Sequence, residues 1–138
     1  MSQRNAEVIR RGFEALSSGD IERIIDFVDP DFEVRVPPEL STEPDSYRGH
    51  AGIRHYFESF WADMEDIRFE AERTWEKGDA VVVDTRMTAR GKQTAIPVEQ
   101  RFGQIWTLRD GRAVAVSNFA SIEQALEAAG LADGADQV

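Results

Sequence analysis

The chain has 138 residues, 41% of them hydrophobic, which supplies one sizeable core and leads us to expect a single domain. Its 16 basic and 26 acidic residues give a formal charge of −10, which repels phosphate backbones and anionic lipid and argues against nucleic-acid and membrane partners. With no cysteine and only two histidines, disulfides, thiolate metal sites and a cysteine nucleophile are excluded, little remains for a transition metal, and no cofactor is expected.

No apolar run approaches the ~20 residues that cross a bilayer. The opening Met1 to Glu7 lacks the basic, apolar, small-residue order of a secretory signal, so a cytoplasmic location is expected. From Ser2 to Ser18, Val8, Ile9, Phe13 and Leu16 form one helical stripe. Gly19 stops that helix, and Asp20 is placed to cap a second one that turns Ile21, Ile24, Ile25 and Val28 inward and ends at Asp29-Pro30. Phe32, Val34 and Val36 then alternate with Glu33 and Arg35, the period of a half-buried strand, which Pro37-Pro38 terminates. Glu39 to Ser46 carries no periodicity and reads as a surface loop at a pocket rim.

After Tyr47-Arg48-Gly49-His50 a third helix carries Ile53, Tyr56, Phe57, Phe60, Trp61 and Met64 at helical spacing. Strand-like runs follow at Ile67 to Trp75, Ala80 to Ala89, Val98 to Leu108 and Ala113 to Ala120, joined by glycine-bearing hairpin signals. Ser121 opens a closing helix over Gln124 to Ala129, and a polar tail runs from Ala132 to Val138. Helices followed by an antiparallel meander predict an α+β fold over residues 1–131, with the N-terminal helices packed on the concave side of a curved, cone-like sheet.

Several segments resemble one family. The run Ala15-Leu16-Ser17-Ser18-Gly19-Asp20, the strand opening Asp31-Phe32-Glu33-Val34, the Tyr47-Arg48-Gly49 and Ile53-Tyr56-Phe57 helix, and Gly103 to Arg112 are similar to the SnoaL-like branch of the nuclear transport factor 2-like superfamily, over roughly Ala6 to Leu131. The resemblance implies the cone fold. The superfamily includes ketosteroid isomerases, polyketide cyclases, epoxide hydrolases, dehydratases and non-catalytic binding proteins, so fold does not decide reaction. Aligned to the isomerase, its tyrosine falls on Gly12, its base on Val36 and its oxyanion aspartic acid on Gln104, which together can neither abstract a proton nor supply the acid. The histidine and aspartate that many SnoaL-like relatives carry would fall at Gln104 and near Ser121, and neither is present.

Strand alternation puts Phe102, Gln104 and Trp106 on one face. The same alignment places Val82, Asp84, Arg86 and Thr88 on that face of the neighbouring strand, and Val116, Asn118 and Ala120 on the last. Asp84, Arg86, Gln104 and Asn118 are therefore expected to converge inside walls supplied by Phe57, Trp61, Phe102 and Trp106. Glu99, Arg101 and Thr107 are expected to point away. His50 and His55 are expected off the pocket. Asp84 and Arg86 read either as a silent ion pair, as ligand contacts or as an acid–base pair.

Three functions stay open at this point. One is a protein that binds a small, largely apolar, polyketide- or steroid-like molecule through Arg86, Gln104 and Asn118. A second is a cofactor-independent isomerase, cyclase, lyase or epoxide-hydrolase-like enzyme using Asp84 with Arg86, without ketosteroid isomerase activity. The third is a dimeric interaction module with a filled cone. A homodimer is expected through the convex sheet face, where Ile105 would offer apolar area.

Overall fold

In the computed structural model, which describes residues 2–35 and 46–131, the chain forms four helices and one curved sheet. Apart from Ser46, the rim loop lies outside the described residues, as do Val36 and the tail 132–138. Helix α1 (Ser2–Ser17) buries Val8, Ile9, Phe13 and Leu16. Gly19, at φ 75°, lets the chain turn out of it. The Asp20 carboxylate then accepts from the Glu22 backbone N–H at 3.0 Å and caps α2 (Ile21–Phe27), which buries Ile24 and Phe27.

Strand β1 (Val28–Arg35) starts directly from α2, so Val28 and Asp29, expected in the helix, belong to the strand, which begins four residues before Phe32 opens the alternation. Pro30 is accommodated because pairing with the neighbouring strand is interrupted between Val28 and Glu33. A three-residue strand, β2 (Ser46–Arg48), follows, too short to have left a periodic signal. Gly49, at φ 71°, then opens α3 (Gly49–Asp63), which buries Ile53 and Phe57. The meander consists of β3 (Met64–Lys77), β4 (Ala80–Gly91), β5 (Pro97–Arg109) and β6 (Arg112–Phe119), and α4 (Ile122–Ala128) closes the described chain.

The strand order is β2-β1-β6-β5-β4-β3. One pairing departs from the expected antiparallel sheet: β1 returns to lie parallel to β6, while all other pairs are antiparallel. The connection from β1 to β6 includes α3, which packs with α1 and α2 on one face of the sheet. There α1 lies on β3 and α3 on β1, and the main core joins Ile9, Phe13, Ile24 and Ile53 to Val81, Val83, Trp106 and Val116 of the sheet. On the opposite face α4 covers Trp75 and Val82 with Ala125 and Leu126. Its N-terminus is fixed by the Ser121 hydroxyl, which accepts from the Gln124 N–H at 3.2 Å.

The central strands are therefore buried on both sides. Ile105 is partly buried, packed against this second cluster on the outer face. Among the described residues no helix is long and apolar enough to cross a membrane. No group of three or more His, Asp or Glu residues among them is placed to hold a metal ion.

Candidate ligand-binding site

Between the three N-terminal helices and the inner face of the sheet lies a cavity of about 80 Å³. Phe57 and Ile53 reach it from α3, Phe32 and Val34 from β1, Phe102, Gln104 and Trp106 from β5, and Val116 and Asn118 from β6. Six residues expected at a ligand site, Phe57, Phe102, Gln104, Trp106, Val116 and Asn118, thus share one wall system. Tyr56, which its helical spacing assigns to the core, and Gln100, which sequence reasoning did not single out, also line it. Gln100 has the same strand parity as Gln104, and that was the available signal.

Aromatic rings back the wall at Trp106. Trp106 is caged by Phe13, Phe27 and Phe32 at centroid distances of 5.9, 5.7 and 6.1 Å. A Cβ at Gly12 would lie 2.2 Å from the Phe27 ring. The Phe27 ring therefore sits against α1 where the resemblance puts the isomerase tyrosine.

A buried amide network crosses the inner wall. The Gln104 Oε1 accepts from the Trp106 indole Nε1 at 3.0 Å and from the Thr85 hydroxyl at 2.8 Å. Its Nε2 donates to Asn118 Oδ1 at 2.9 Å. Cross-strand geometry explains the meeting: Gln104 is paired with Val83 on one side and with Asn118 on the other, and Thr85 is two residues from Val83 on the same face. Thr85 is fully buried, so its hydroxyl belongs to the interior and not to solvent.

Asp84, Arg86 and Thr88 are not in the cavity. They stand opposite Gly103, Arg101 and Glu99, which places them on the outer face with Val82. The expected phase of β4 was off by one residue. Val81, Val82 and Val83 are all fully buried because α4 covers the outer side as the core covers the inner, so the run carries no alternation from which to read a phase.

On that outer face Asp84 accepts two hydrogen bonds from Arg73, at 2.9 and 3.1 Å. Arg86 joins Glu70, at 2.9 Å, to Glu99. The bond from Arg86 holds the Glu99 carboxyl below its ordinary range and raises the Arg86 guanidinium in turn. Glu99 and Arg101 lie on this outer face as expected, and Arg101 pairs with Glu72. Trp61 lies behind Phe57, with rings 5.6 Å apart, and faces a separate surface groove with Met64 and Ile67. His50 contacts the Val28 carbonyl at 3.3 Å, His55 is exposed, and neither lines the cavity.

Among the described lining residues there is no carboxylate, imidazole or amine. What the wall offers is amides, the Tyr56 phenol and aromatic surface, groups that hold and orient an oxygen function without exchanging protons near neutral pH.

A family profile described as a SnoaL-like domain matches residues 9–116. No curated protein matches the chain. Solved structures similar in fold include the following three. An NTF2-like protein of unknown function from Burkholderia pseudomallei has a TM-score of 0.73 at 17% identity, over 90% of this chain and 95% of that one. TerC, co-crystallised with polyporic acid, has a TM-score of 0.74 at 25% identity, over 90% and 96%. The epoxide hydrolase/cyclase-like enzyme SalBIII, described in pyran ring formation in the polyether salinomycin, has a TM-score of 0.74 at 19% identity, over 86% and 91%.

Proposed function

The chain belongs to the SnoaL-like domain family, and from that premise we propose that it binds a small, largely apolar molecule carrying an oxygen function in the cavity beneath α1, α2 and α3. The observation that carries this reading is the buried Thr85–Gln104–Trp106–Asn118 network at the polar end of an aromatic cavity. Apolar walls with a few convergent polar groups are the usual composition of a small-molecule site. A filled interaction module has no use for buried amides facing a void, since each buried polar group costs stability unless it is bonded. Arg86 drops out of the proposed contacts because it lies on the outer face.

At about 80 Å³ the cavity is smaller than the ~150 Å³ apolar cavity known to take benzene. The seated part is therefore no larger than a single small ring, and a larger polyketide-like ligand extends out of the cavity. TerC, at 25% identity and crystallised with polyporic acid, lends weight to a binding role for this cavity.

Methyl-detected NMR titration with small cyclic ketones tests the reading. Resonances of Ile53, Val34 and Val116 are expected to move, Val82 on the outer face is expected to stay, and Val116→Phe is expected to block the response. Shifts confined to the outer face, or none, would overturn it.

A further inference from the structure

The hydrogen bonds around Gln104 do more than fill a wall. We infer that Trp106 and Thr85 lock the Gln104 amide so that it shows the cavity only N–H, and that the site selects ligands presenting an acceptor oxygen, such as a ketone, over ligands presenting a hydroxyl hydrogen. The inference rests on the binding role proposed above and specifies its ligand class.

The lock follows from donor chemistry. An indole nitrogen carries a hydrogen and no available lone pair, so its partner at 3.0 Å must be the amide oxygen, and the flip of Gln104 is fixed. The Thr85 hydroxyl, fully buried, takes the second lone pair of that oxygen at 2.8 Å. The oxygen is then saturated. Nε2 spends one of its two hydrogens on Asn118 Oδ1 at 2.9 Å, which also engages that oxygen as an acceptor. Gln104 lines the cavity, and what it still has to give there is a hydrogen.

A ligand oxygen placed at this end receives a bond. A hydroxyl hydrogen aimed at the same point meets an oxygen with no lone pair left, and a donor buried without a partner is costly. Between two rings of similar size the resulting preference is about tenfold in affinity.

Cyclohexanone and phenol form the test pair, since one is an acceptor without a donor and the other a good donor and poor acceptor. Titrations of the wild-type chain are followed through the Gln104 side-chain amide and the Val116 and Ile53 methyl resonances. Cyclohexanone is expected to bind about tenfold more tightly and to move the Gln104 amide hydrogens downfield. In Gln104→Glu, studied above the pKa of the new carboxyl, one oxygen still serves Trp106 and Thr85 while the other replaces the N–H by an acceptor, and the preference is expected to reverse.

Equal or tighter binding of phenol by the wild type overturns the inference and leaves the binding reading standing. So does a ketone preference that survives Gln104→Glu. If neither ring moves the Val116 and Ile53 methyls, both the inference and the binding reading fail. The wild-type amide shift needs no variant, so a Gln104→Glu chain that does not fold leaves the decision intact.

Discussion

Gly103 stands directly across β4 and β5 from Asp84, and the lack of a side chain there is what allows α4 to rest on the outer face of the sheet. A Cβ at this point would lie 2.6 Å from the Ser121 carbonyl oxygen, 2.7 Å from the Ala125 Cβ and 2.9 Å from the Ile122 Cα. None of these atoms ends a flexible side chain, so the helix itself has to move. Gly103→Ala is expected to lift α4 from Trp75 and Val82 and to cost about 1–3 kcal/mol, read as a lower denaturant midpoint.

The network on the inner face ranks its own members. Thr85→Val removes one donor from the Gln104 oxygen, which keeps the Trp106 indole, and is expected to cost about 1 kcal/mol. Gln104→Leu leaves the indole N–H and the Thr85 hydroxyl without their partner in the interior, and the loss is expected to exceed that of Thr85→Val. Chemical denaturation of the two variants checks the order. Equal losses would mean that the network relaxes onto other partners.

The inner wall was legible in the sequence wherever a short turn fixed the register. Asp110-Gly111 joins β5 to β6 with Arg109 opposite Arg112, so Gln104 and Asn118 could be matched across the hairpin despite one register shift near Thr107. Between β4 and β5 the connection is longer, and Val81 to Val83 is apolar on both faces, so the phase of Asp84 had no local signal. Charge did carry one. Arg86 requires carboxylates, and Glu70 and Glu99 were available only on the outer face, to which the parity of Glu99 had already been assigned. Phe27 over Gly12 was not legible, because a contact between two helices depends on their crossing and not on either period.

Asp84 is expected to matter modestly for stability and not for ligand binding. Its partner Arg73 is half exposed, so solvent screens the pair, and Asp84→Asn is expected to cost about 1 kcal/mol or less, with the difference shrinking in high salt. Cyclohexanone affinity is expected to be unchanged in this variant, because the cavity lies on the other side of the sheet. An altered affinity in a normally folded Asp84→Asn chain would show that the two faces are coupled.

Two carboxyls on the sheet give pH dependences of opposite sign. Burial raises Glu76 above its ordinary value of 4.5, so between that value and its folded pKa the native chain holds more protons than the unfolded one. Stability contributed by the protonated form is then lost as pH rises through that window, and the penalty is fully present at neutral pH. Glu76→Gln is expected to raise the midpoint temperature at neutral pH and to leave it unchanged in acid, where the carboxyl is protonated in the folded and the unfolded chain alike. Glu99 runs the other way. Arg86 lowers its pKa in the folded chain, so its contribution is present above the unfolded value and is lost as pH falls through the folded one. Glu99→Gln is expected to lower the midpoint at neutral pH, with the difference fading in acid. Thermal unfolding of both variants across this range separates the effects, since the Glu76→Gln difference should be positive and the Glu99→Gln difference negative at neutral pH. The same sign for both would show that burial at Glu76 does not outweigh its charged surroundings.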